Sequence, residues 1–160
     1  MPIALVLPSA GTAKLLPEAE TLTECLRLAD WTLQAGQALR AGVAMNQHLG
    51  ADELPAPAGS DERRAAVEAV YRDRPADLSD YIAVRLGRCL RGRGTNASDR
   101  FAKACYDQTL WAATLFAYKR QGVALERVLS GPMPALAEAV YRSEQPEAEF
   151  RRDLLLECLN

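Results

Sequence analysis

The chain has 160 residues, 49% of them hydrophobic and 25% charged, with a net charge of −2. That length suits one compact domain or two small packed halves, and that composition fills a core. The weak net charge excludes a global field able to hold nucleic acid. The single histidine excludes a histidine-rich metal site within one chain, and no apolar run approaches the length needed to cross a bilayer.

Residues 1–20 open the chain apolar, turn small, and reach Lys14. Gly11-Thr-Ala13 fits the pattern that signal peptidase accepts, yet the apolar part is short and no basic stretch precedes it. Two readings stand: an N-terminal arm, or the remnant of a secretory signal.

Helix signals follow. Thr21-Leu-Thr-Glu24 is a capping-box pattern. Leu22, Cys25, Leu26, Ala29 and Leu33 then share one helix face, and Leu28, Trp31, Ala35 and Ala38 make a second apolar stripe. A helix apolar on two sides belongs between neighbours. Gly42 ends it, because glycine takes the left-handed conformation cheaply. A short helix through Val43 to Leu49 is expected next. Residues 50–60 hold two prolines and two glycines and read as a loop. A third helix spans Asp61 to Arg72, Pro75 and Asp77 break it, and a fourth runs from Leu78 to Leu90. Gly92 and Gly94 close this half. Thr95-Asn-Ala-Ser98 supplies turn and cap residues for a long helix through Gln121. Nowhere do β-branched residues alternate, so the fold class is all-α, without a sheet.

The strongest signal is self-similarity. At an offset of 80, Cys25 meets Cys105, Trp31 meets Trp111, Arg40 meets Arg120, Gly42-Val-Ala44 meets Gly122-Val-Ala124, and Leu49 meets Leu129. At an offset of 70, Glu68-Ala-Val-Tyr-Arg72 meets Glu138-Ala-Val-Tyr-Arg142. At 69, Cys89-Leu90 meets Cys158-Leu159. The offset changes over 50–60, which marks that loop as an insertion in the first copy. The expected architecture is a tandem duplication of a four-helix unit, residues 21–94 and 95–160, packed into one helical domain. Both Trp residues are expected in the core. Glu68 with Arg72, and Glu138 with Arg142, are spaced for exposed helix pairs worth only ~0.3 kcal/mol.

This unit resembles small exported proteins of proteobacteria, mostly of unassigned function. The residues that carry the resemblance are the leading Cys, the Arg-x-Gly-Val turn, the Val-Tyr helix and the closing Cys. It covers most of 25–90 and again 105–159. It implies an all-helical, disulfide-tied, periplasmic protein, and it implies no activity.

Four cysteines allow three pairings. A duplicated unit keeps its own bridge, which pairs Cys25 with Cys89 and Cys105 with Cys158. Bridges of that span stabilise by ~4 kcal/mol each in the chain-entropy model and imply an oxidising compartment. The competing reading is four buried free thiols. Zinc and redox chemistry lack the Cys-x-x-Cys spacing they need.

Candidate chemistry is sparse. His48 has no placeable catalytic partner. Phosphate-cradling glycine motifs are absent. Arg85, Arg88, Arg91 and Arg93, with Arg100 beyond, form the one charge cluster, opposed in the second copy by Leu154 and Glu157. Cations near a helix C-terminus answer the macrodipole, and contact with an acidic partner protein, or with anionic lipid or cell-wall polymer, is the functional alternative. Asp52 and Glu53, in the inserted loop, suit a basic partner. The expectation is a non-enzymatic periplasmic or secreted binding protein, whose partner is another protein; an immunity or inhibitor protein neutralising a bacterial toxin is the concrete form. The alternative is a structural or accessory cell-envelope protein. An enzyme acting through Glu68 and Glu138 fits less well, because matched positions suit a structural pair better than an acid and a base. No cofactor or metal is implied.

Overall fold

The computed structural model describes residues 19–50 and 59–160. Among them lie eight helices and no strand: α1 (Ala19–Arg40), α2 (Met45–Leu49), α3 (Ser60–Asp73), α4 (Leu78–Gly92), α5 (Asp99–Arg120), α6 (Leu125–Val128), α7 (Pro134–Arg142) and α8 (Glu147–Leu159). The all-helical expectation holds. The arm before Ala19, and the loop with Asp52 and Glu53, lie outside the described residues.

Local chemistry explains most boundaries. Asp77 caps α4, its Oδ1 accepting from the Asp80 N–H at 2.9 Å. Ser98 caps α5, its Oγ accepting from the Phe101 N–H at 3.2 Å. Pro134 opens α7, where a missing N–H costs nothing. Gly42 and Gly122 both sit at φ +73° just past the long helices. The next N–H, of Val43 or Val123, then reaches back to Ala38 or Tyr118 and closes the helix end. The capping box at Thr21 is corrected: the chain is already helical at Ala19, and Thr23 Oγ1 donates to the Ala19 carbonyl from inside the helix.

α1 packs against α3, α4 and α8; α5 packs against α4, α7 and α8. One core cluster draws on both halves, joining Leu22, Leu26, Ile82 and Leu86 to Cys105, Tyr106 and Leu155. Two smaller clusters flank it. One sets Val67 and Val70 of α3 against Ala35. The other sets Ala137 and Val140 of α7 against Ala112, Leu115 and Phe116. All seven buried positions of α1 have a buried counterpart in α5, 80 residues on, from Leu22 and Ala102 to Gly36 and Phe116. Tyr71 donates to the Val43 carbonyl at 2.7 Å, and Tyr141 to the Val123 carbonyl at 2.8 Å. Gly36 and Gly87 let helices cross closely: a Cβ at Gly36 would run into Leu78, and one at Gly87 into Asp99.

Two disulfides join Cys25 to Cys89 and Cys105 to Cys158, with Cα–Cα distances of 5.7 and 5.6 Å. No described cysteine is free. Two expectations are corrected. The Trp residues are not core: Trp31 is half-buried and Trp111 is 44% exposed. Arg142 lies 3.7 Å from Glu138 as expected, but Arg72 turns to its neighbour Asp73 at 2.8 Å.

Candidate functional site

The arginines of α4 divide by what they meet. Arg91 points toward α5, donating to the Ala97 carbonyl at 3.0 Å and to Asp99 Oδ1 at 2.7 Å. It pins the α4–α5 connection and is structural. Arg85 and Arg88, three residues apart, border the side of α4 that meets α1. With Leu28, Cys89, Gly92 and Arg93 they line a groove of about 360 Å³ between α1 and α4. Arg93 closes one rim, donating to Glu24 Oε2 at 2.6 Å. Arg85 lies over the Tyr81 ring, 5.4 Å from its centroid. Tyr81 in turn donates to Asp73 at 2.7 Å, so the stack that holds Arg85 is itself anchored. Arg85 Nε is buried and has no hydrogen-bond partner. Arg88 is exposed. The sequence cluster is thus two groups, and Arg85, Arg88 and Arg93 are the ones that meet.

Arg100 belongs to neither group. It lines a second groove, of about 590 Å³, between α4 and α5. There Asp80, Asp99 and Asp107 face Arg100 and Lys103, so the charges offset one another locally.

His48 is drawn into the first half's small cluster. Its ring stacks on Tyr71 with centroids 6.5 Å apart, and its Nε2 is buried without a partner. Arg63 donates to the His48 and Leu49 carbonyls at 3.2 and 3.4 Å, closing the end of α2. Burial, then the Arg63 charge, hold the His48 pKa below its usual value. Among the described residues, His48 meets Tyr71 through its ring and Arg63 through its carbonyl.

One buried polar site escaped sequence reasoning. Arg151 of α8 forms a bidentate pair with Asp30 of α1, Nη1 to Oδ2 at 2.9 Å and Nη2 to Oδ1 at 2.8 Å. Arg151 Nε donates to the Thr109 carbonyl at 3.0 Å, and Tyr106 donates to Asp30 Oδ1 at 2.9 Å. Burial, then the Asp30 charge and hydrogen bond, push the Tyr106 phenol far above its usual range. Burial acts to lower the Arg151 pKa, but the Asp30 hydrogen bond and charge outweigh it and the net shift is upward. All acceptors and donors here face one another, so the network fastens the halves and offers no free acid or base. The signal was present in the offsets. Arg151 stands at the place of Ile82, Tyr106 at that of Leu26, and Thr109 at that of Ala29.

Along α5, Phe101, Trp111 and Tyr118 are exposed. The counterpart of Trp111, Trp31, is covered by Gly59, where a Cβ would lie 3.5 Å from the ring. α7 begins at the position matching Arg64, so the segment that covers Trp31 has no equivalent over Trp111.

Among the described residues no group of three or more His, Cys, Asp or Glu is arranged to hold a metal ion, and no helix is long and apolar enough to cross a membrane. Comparison with family models, curated proteins and solved structures found no match.

Proposed function

We propose that this chain is a non-enzymatic binding protein of an oxidising compartment, periplasmic or secreted, built by tandem duplication of a four-helix unit. Its partner is another protein, and neutralisation of a toxin by an immunity protein is the concrete form. The likeness to small exported proteobacterial proteins belongs to the same proposal.

The single observation that carries the binding reading is the groove of Arg85, Arg88 and Arg93. Two of its arginines, Arg85 and Arg88, are private to the first half. At the matching positions the second half has Leu154 and Glu157, while the core residue between them, Leu86, is matched by the equally buried Leu155. The scaffold therefore stands without the arginines. A side chain that folding does not need, on a rigid helix and beside a groove, is available for recognition, and arginine is a favoured interface anchor. Two disulfides support the compartment, since such bridges persist where thiols are oxidised. Duplication is supported by the matched buried positions, the paired Tyr-to-turn hydrogen bonds and the two within-half bridges.

The test is capture from the envelope of the source organism. The parent and an R127S/R142S control should retain one protein that R85S/R88S loses, with all three equally stable. That protein, exported without this chain, should arrest growth. Equal capture by all three would remove the groove from the reading. Capture of nothing by the parent would remove the protein partner.

A further inference from the structure

We propose that the α1–α4 groove recognises a carboxylate carried beside an apolar side chain, so that the partner enters it with an acidic, apolar-flanked segment. This deepens the binding reading and rests on it.

The residues that line the groove carry three guanidinium groups and no carboxylate. One of the three already shows the chemistry, because Arg93 holds the Glu24 carboxylate at the rim. The other two are not so engaged. The Nε of Arg85 is a buried donor without an acceptor, which is costly unless something supplies one. Among the described residues Arg88 has no ion-pair partner, and it stands exposed beside Arg85. Guanidinium forks match the planar carboxylate with paired donors.

The rest of the lining decides between anions. The floor is apolar, made by Leu28 and Cys89. The wall is the C-terminal half of α4, from Arg85 to Gly92, and a helix C-terminus carries partial negative charge. Its backbone N–H groups are already used within the helix. Phosphate sites draw on free backbone N–H groups and a helix N-terminus, and neither is present here. A singly charged carboxylate with an apolar neighbour fits the floor, and the wall opposes it less than it opposes a dianion. The volume, about 360 Å³, matches a few side chains. Aromatic anchoring of Arg85 on Tyr81 keeps its donors aimed, which lowers the ordering cost of binding.

The experiment titrates the full-length, oxidised protein, labelled at arginine, and follows the Nε–H signals of Arg85 and Arg88 by NMR. Three probes are used at equal ionic strength: a capped Gly-Leu-Glu-Leu-Gly peptide, its Gln counterpart, and inorganic phosphate. The Glu peptide should shift both signals saturably, and the Gln peptide and phosphate should bind more weakly. R88S, an exposed change that leaves the fold intact, should weaken the Glu peptide by about tenfold, the loss that accompanies removal of one hydrogen bond to a charged group. R85S should do the same and also move the Tyr81 ring signals. Equal binding of the Gln peptide, tighter binding of phosphate, an unchanged affinity in R88S, or no saturable shift would each overturn the proposal. If the titration fails while R85S/R88S still loses the captured protein, the groove chemistry falls and the binding reading survives. If the titration succeeds and no protein is captured, the reverse holds.

Discussion

Arg151 occupies a core position that the first half gives to Ile82, and Asp30 reaches across from α1 to meet it. The pair is largely shielded, with side-chain exposures of 11% and 23%. Removing one partner leaves the other charge buried and uncompensated, which costs about 3–5 kcal/mol in such pairs. Met at position 151 should therefore destabilise by about 3 kcal/mol, at the low end because Asp30 keeps some water. Adding D30A should recover part of the loss, so urea denaturation of the two single variants and the double should be non-additive. Strict additivity would mean that the pair carries no coupling. His48 supplies a second expectation. Its pKa is lowered in the folded chain, so the unfolded chain holds more protons as pH falls below the unfolded value of 6.5. Stability contributed by neutral His48 is thus present above pH 6.5 and lost as pH drops through the folded value. H48Q should flatten that acid-side decline in thermal unfolding, and an unchanged decline would assign it to other groups. Neither behaviour was legible from residue type. An Asp and an Arg in separate helices, 121 residues apart, leave no local pattern, and only the repeat offset exposes Arg151 as misplaced.

The helices themselves were largely legible, because capping residues, glycine stops and apolar periodicity all act locally. What failed at this scale was the fate of the two Trp residues. Both stand on apolar stripes of long helices, and periodicity alone puts both in the core. Cover, however, comes from a different helix. α3 has 14 residues and α7 has 9, and all but one of the extra residues of α3 lie at its N-terminal end, next to the Gly59 that lies over Trp31. Pro134 starts α7 late, and no matching segment lies over Trp111. The two rings should therefore report unlike surroundings. In W31F, the remaining Trp111 should emit at longer wavelength than Trp31 does in W111F, and iodide should quench it more strongly. Equal quenching would show Trp111 to be covered. The arginine cluster was legible as charge but not as a site. Sequence shows five arginines close together, whereas the structure engages Arg91 with Asp99 and leaves Arg85 and Arg88 beside the α1–α4 groove.

For the molecule as a whole, covalent and non-covalent links run in different directions. Each disulfide closes a loop within one half, spanning 64 residues in the first and 53 in the second. The main core and the Asp30–Arg151 network cross between halves. The bridges were legible because repetition singles out one pairing of three, while the crossing contacts were not, since they are private to the joined molecule. Loops of these spans constrain the unfolded chain by about 4 kcal/mol each. C25A/C89A and C105A/C158A should then lose similar stability, each about 4 kcal/mol or somewhat less. Because the core is shared, neither variant should release one half alone. A loosened first half would strip Leu22, Leu26 and Ile82 from Tyr106 and Leu155, and the second half would lose the apolar contacts that hold α5 and α8. Denaturation followed separately by Trp31 and by Trp111, in single-Trp backgrounds, should give coincident transitions for the parent and both variants. Transitions that separate when only one bridge is removed would show that the halves fold as independent units, with the interface between them too weak to couple the two.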